Sequence, residues 1–167
     1  MWFADILEGR DRLRECIRSD FDDIGKTVVT ILWCTRPIWN YGKVIIMDSG
    51  FCVTNVLVEL QKKGVCGAAL IKKRRYWPSN IKGDAIDAHF ASKEVGNVDA
   101  AKKVEYGVDY HVFFMKDPDY IMKLMTTYGT LEPTDKRTRR KFKRGGVMYT
   151  KEFMYTEVVA IFLSTSS

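Results

Sequence analysis

The sequence predicts an α/β domain, a mixed β-sheet covered by helices. Two observations carry this. The stretch "GKVIIMDSGFCVTNVLVELQKKGVCGAALIKK" reads as strand, helix, strand, a βαβ unit of about thirty residues whose strands run parallel. Further on, "YHVFFMKD" and "YIMKLMTTYG" are two apolar runs separated by Asp117, Pro118 and Asp119, the pattern of antiparallel strands joined by a turn. At 167 residues with 46% apolar content, the chain is long enough to bury a core of its own.

The elements follow in order. "MWFADILEG" has the character of a strand, and "RDRLRECIRSDFDDI" is charged and irregular, a loop with a short helix. "GKTVVTILWCTRPIW" carries Val28, Ile31, Leu32 and Trp39 and reads as a helix stopped near Pro37. Val44 to Asp48 is a short buried strand. Val53, Val56, Leu57 and Leu60 lie at i, i+3, i+4 and i+7, which sets one apolar helical face. Gly64 ends that helix, and "VCGAALIKK" is the next strand. The polar stretch "RRYWPSNIKGDAIDAHFASKEVGNVDAAKK" reads as loop, and "DKRTRRKFKRGG" as a basic linker over 135–146. "VMYTKEFMY" is a strand and "TEVVAIFL" the start of a helix, before the terminal "STSS".

Composition narrows the function classes. A net charge of +6 is a moderate basic excess, so its clustering carries more information than its size. Cys16, Cys34, Cys52 and Cys66 fit no C-x-x-C zinc spacing, and three of them sit in apolar runs as small hydrophobes. Reduced thiols and an intracellular setting are expected. No signal peptide is read at the start, where Met1–Ile6 is followed by charge. No apolar run approaches the ~20 residues of a membrane helix. His89 and His111 stand without partners at ligand spacing and read as structural or surface residues. Trp33 and Trp39 read as packed in the core or under a loop, and the Met and aromatic positions of "HVFFMKDPDYIMKLM" as core.

Asp48 closes the apolar run Val44–Met47 and opens the next helix. Two readings stand. It is an N-cap or the first residue of the turn. Otherwise it is a carboxylate at the carboxyl edge of a sheet, where functional groups gather and where Mg²⁺ or Mn²⁺ would balance its charge.

"GKVIIMDSGFCVTNVLVELQKKGVCGAALIKKRRYWP" resembles the PiggyBac-type transposases and proteins derived from them. "GKTVVTILWCTRPIW" resembles the helix before this strand, and "YTEVV" the entry to the last catalytic helix. The resemblance runs from "MWFADILEG" to about Val159. It implies a ribonuclease H-like fold, a DDE site holding Mg²⁺ or Mn²⁺, DNA as partner and a nuclear location. Asp48 matches the second catalytic aspartate. The first and third have no matching position here, so the expectation is an incomplete domain, with its central first strand missing. Residues 1–134 would be that partial domain, 135–146 a linker, and 147–167 a strand with the truncated start of the last helix. Glu8, Asp22, Asp23, Glu152 and Glu157 match no motif and read as surface charge. Phosphoryl transfer by two metal ions needs several carboxylates, so a chain with one is expected not to cut or join DNA.

Two basic stretches carry a second expectation, non-catalytic DNA binding. Lys72, Lys73, Arg74 and Arg75 precede Tyr76 and Trp77; cations neutralise phosphates and aromatic faces stack on bases. Lys136, Arg137, Arg139, Arg140, Lys141, Lys143 and Arg144 surround Phe142, as a phosphate-binding stripe or a nuclear localisation signal. The alternative for each is a solvated charged loop.

Overall fold

A computed structural model describes residues 24–71 and 83–165. Within them, helix α1 (Lys26–Thr35) continues into a 3₁₀ turn at Arg36–Ile38, where Pro37 stands. Strand β1 (Val44–Met47) leads through a 3₁₀ turn (Ser49–Phe51) into α2 (Thr54–Lys62) and then β2 (Cys66–Leu70). Gly64 stops α2 in the left-handed region, at φ 66°, where a side chain would be strained. Helix α3 (Gly83–Ala91) precedes β3 (Val98–Glu105), β4 (Val108–Lys116) and β5 (Ile121–Thr126). Strands β6 (Pro133–Arg144) and β7 (Val147–Thr156) form a hairpin, and α4 (Glu157–Thr165) follows.

Five strands make one mixed sheet in the order β1-β2-β5-β4-β3. β1 and β2 are parallel, with Val44 opposite Cys66 and Met47 opposite Ala69, as the βαβ reading requires. β5 pairs antiparallel with both β2 and β4. The β4–β5 turn closes with the Asp117 amide donating to the Tyr120 carbonyl at 2.9 Å.

Both faces of the sheet are covered. On one, Val28 and Leu32 of α1, Val56, Leu57 and Leu60 of α2, and Ile86 and Phe90 of α3 pack with Tyr110, Val112, Phe114 and Met125. On the other, Val158 and Val159 of α4 and Tyr155 of β7 pack with Phe113, Met115, Met122 and Leu124. Burial on both faces explains why β4 reads as a nearly continuous apolar run rather than an alternating one.

Two expectations are corrected here. The stretch read as a polar loop contains α3 and β3. The segment read as a basic linker over 135–146 is instead strand β6 and the hairpin turn. Its charge run alternates faces, and the inward positions Arg140 and Phe142 are packed, so the segment is ordered by its partners. The expected strand in "MWFADILEG" and the loop after it lie outside the described residues. Cys52 and Cys66 are free thiols. Burial pushes the Cys52 thiol up to about 12, which suits a small hydrophobe in the core.

Candidate functional site

The apolar strand β1 ends at Met47, which is 5% exposed, and the next residue is exposed Asp48. Its backbone is extended, at φ −69° and ψ 163°. That conformation lifts the chain off the sheet before the turn. Asp48 occupies the N-cap position of the 3₁₀ turn, yet its side chain makes no capping hydrogen bond. Its carbonyl accepts from the Phe51 amide at 3.0 Å, so the backbone closes the turn without the carboxylate. The side chain is therefore free of the structural task that local sequence offered it.

Among the described residues, no group of three or more His, Cys, Asp or Glu side chains is placed to hold a metal ion. Asp48 by itself does not fit a divalent-cation site, which draws on several oxygen ligands. Two acids named from the sequence are engaged elsewhere. Glu152 accepts from Arg139 Nε at 2.6 Å and lies 3.5 Å from Arg137. Glu157 accepts from the Tyr128 hydroxyl at 2.7 Å. Glu8, Asp22 and Asp23 lie outside the described residues.

The second cluster is built by the period of β6. Side chains two apart on a strand share a face and stand about 7 Å from each other. Arg137, Arg139, Lys141 and Lys143 are exposed on one face. Their cross-strand neighbours are Met154, Glu152, Thr150 and Met148, so these share that face. Met148 and Met154 are 58% and 60% exposed. The opposite face turns inward. Phe142 is 4% exposed and meets Tyr149 and Phe153 at centroid distances of 5.5 and 5.8 Å. Arg140 donates to Asp117 and thereby leaves the cationic row. Lys136 and Arg144 belong to β6, with side chains outside the described set. Lys72, Lys73, Arg74, Arg75, Tyr76 and Trp77 are outside the described residues altogether.

Electrostatics on this face is not uniform. The hydrogen bond from Arg139 holds the Glu152 carboxyl below its ordinary range, with Arg137 adding to the effect. Lys141 and Lys143 have no ion-pair partner among the described residues. The row thus offers two unmatched ammonium groups near the hairpin tip and a half-neutralised pair of arginines further back. Sequence reasoning missed Glu152, Met148 and Met154 as members of this face. The signal was the spacing of two in "RTRRKFKR", which places one register of cations together once the segment is taken as a strand.

The His readings resolve separately. His89 Nε2 lies 2.5 Å from Asp99 Oδ2, and both side chains are about half exposed. His111 on β4 has a buried Nδ1 with no hydrogen-bond partner. No helix is long and apolar enough to cross a membrane among the described residues.

A family model described as Transposase IS4 matches residues 7–160. Among solved structures, the chain is similar to a piggyBac transposase in a cryo-EM synaptic complex with hairpin DNA. The TM-score is 0.50 and the sequence identity 10%. The similarity covers 71% of this chain and 23% of that chain, so this chain spans about a quarter of that protein's length. At such identity the likeness is one of fold. No curated protein matches.

Proposed function

Because the chain belongs to the Transposase IS4 family and has a fold like that of a piggyBac transposase, we propose that it is a transposase-derived domain that binds DNA but does not cut or join it unaided. The fold is read as ribonuclease H-like, with Asp48 in the position of the second catalytic aspartate. The observation that carries the proposal is the exposed row Arg137, Arg139, Lys141 and Lys143 on β6. Cations that neutralise phosphates release counterions, which makes affinity fall steeply with salt. A two-stranded ribbon is also narrow enough for the major groove. DNA as the partner puts the chain in the nucleus.

The catalytic half of the proposal rests on charge at Asp48. Stabilising the charge of a transferring phosphoryl group is most of this chemistry. One carboxylate offsets little of the repulsion between two divalent ions held close together. The test is a nicking assay of the 167-residue chain on duplex and hairpin DNA with Mg²⁺ or Mn²⁺. No strand scission is expected. Metal-dependent nicking abolished by Asp48→Ala would overturn it.

Binding is tested by fluorescence anisotropy of a labelled duplex at several salt concentrations. With two to four phosphates engaged, the slope of log K on log salt should be about −2 to −4. A flat response sinks the binding half of the proposal. A second reading is that Asp48 completes a metal site with acids supplied from outside these residues. The uncapped carboxylate at the end of β1 favours it. A longer chain that adds flanking sequence would then nick DNA with Mn²⁺ and lose that activity on Asp48→Ala.

A further inference from the structure

We propose that the cleft under the tip of the β6–β7 hairpin is a second anion site, built for a ligand bearing neighbouring phosphate groups. The cleft has a volume of about 1220 Å³, and its walls come from three separate parts of the chain. The α3–β3 connection supplies Lys93 and Glu94, the end of β4 and its turn supply Lys116 and Asp119, and the hairpin supplies Lys143, Tyr149 and Lys151. Four lysines and two acids line the cleft, a surplus of two positive charges. Glu94 is already taken, since Lys151 donates to it at 2.8 Å. That hydrogen bond holds the Glu94 carboxyl below its ordinary range. Lys93, Lys116 and Lys143 have no ion-pair partner among the described residues.

The walls are tied together. The Gly96 amide donates to the Lys116 carbonyl at 2.7 Å, and the Lys116 amide to the Asn97 carbonyl at 2.9 Å. Arg140 fastens the hairpin to Asp117 beside the same turn. With the backbone braced, the lysine stems start from fixed positions around one cleft, so an entering anion can gather several ammonium groups at once. The volume exceeds what one phosphate fills and lies at or above the upper end for small-ligand sites. Four lysines around a cleft of that size leave room for a ligand carrying more than one phosphate. Three of the four lysines, Lys93, Lys116 and Lys151, are absent from the outward row on β6, so the site does not depend on the DNA-binding reading.

Two sources supply neighbouring phosphates, a nucleic-acid strand and a free polyphosphate. The experiment titrates the ¹⁵N-labelled 167-residue chain with inorganic pyrophosphate and follows the amides of Gly145 and Gly146 at the rim. Saturable shifts are expected, weakened by about tenfold or more by Lys93→Gln with Lys116→Gln, since a single charge-assisted hydrogen bond is already worth that much. Lys26→Gln, at an exposed position on α1, should leave pyrophosphate binding unchanged. Competition by a short single-stranded oligonucleotide assigns the site to a strand; failure to compete assigns it to a free polyphosphate. Shifts that do not saturate, or that the lysine variants leave unaltered, overturn the proposal. Should Lys116→Gln disturb the spectrum globally, Lys93→Gln alone, at an exposed position, gives the same reading.

Discussion

Arg140 on β6 donates through Nη1 to Asp117 Oδ1 at 2.8 Å, joining the hairpin to the β4–β5 turn across 23 residues of sequence. The side chains are 20% and 5% exposed. The guanidinium also lies 5.0 Å from the Phe142 ring centroid and 3.3 Å from Met115 Sδ. Removing one partner strands the other charge in a mostly dry site, so Asp117→Ala should cost about 3 kcal/mol. The double variant Asp117→Ala with Arg140→Met should recover much of that loss, because no buried charge is left unpaired. Urea denaturation checks both. Losses that simply add would show the pair to be uncoupled.

That ion pair explains why part of the fold was legible in the sequence and part was not. The unit β1-α2-β2 changes from a short apolar run to a period of 3.6 and back, so local pattern suffices. β4 and β5 are long apolar runs buried on both faces, and the turn between them has strong turn residues. β6 shows only Phe142 as an apolar anchor, and its inward Arg140 depends on Asp117 far away in sequence. β3 ends the sheet order among the described residues and sets Asp99 and Lys102 on either side of Ala100 and Ala101, charges of the kind that sheet edges tolerate. α3 buries Ile86 and Phe90, one turn apart, too few for a periodic signal. At the candidate site, the place of Asp48 was legible. That its carboxylate leaves the cap unused was not, because N-cap preference speaks for residue type and not for rotamer.

Gly96 is a second point where the hairpin depends on one contact. A Cβ there would fall 1.8 Å from Cε1 of Phe153, and the backbone has φ 92°. Gly96→Ala adds a steric clash to a left-handed strain, each costing about 1–2 kcal/mol. A thermal melt should show the variant clearly destabilised. Adding Phe153→Leu should restore only part of the loss, since the backbone strain remains.

Asp48→Ala separates the two readings of that residue by stability alone. A working N-cap loses about 1 kcal/mol on truncation to alanine. The Asp48 side chain makes no such bond, so the expected change in a denaturation midpoint is within about 0.5 kcal/mol of zero. A loss near 1 kcal/mol would return Asp48 to the role of a cap.

His111 should give the chain a pH-dependent stability near neutrality. Burial lowers its pKa, Lys102 lowers it further, and Asp109 opposes them. The unfolded value is about 6.5, so below that pH the unfolded chain binds a proton more readily than the folded one. The stability is present above about pH 6.5 and is lost as pH falls toward the lower folded value. Glu94 and Glu152 titrate below the ordinary glutamate value of 4.5, so their contributions fall in a separate, more acidic window. Melting temperatures from pH 7.5 to 5.5 should decline for the wild type and stay level for His111→Gln. Parallel declines would place the titrating group elsewhere.

Glu152 is the residue whose removal should strengthen DNA binding. It sits on the outward face of the ribbon, held by Arg139 at 2.6 Å and near Arg137 at 3.5 Å. While it is ionised, two of the four cations in the row spend part of their field on it. Glu152→Gln keeps the shape and a hydrogen-bond acceptor but deletes the charge. Both guanidinium groups then become available to phosphates. Affinity for a duplex should rise, and the salt slope should steepen by about one unit, the mirror of losing one phosphate contact. Lys141→Gln should do the opposite, weakening all duplexes alike, because phosphate contacts carry no base information. Anisotropy titrations of both variants at matched salt decide the matter. If Glu152→Gln leaves both affinity and slope unchanged, the outward face of β6 is not where the chain meets DNA, and the row is a solvated edge.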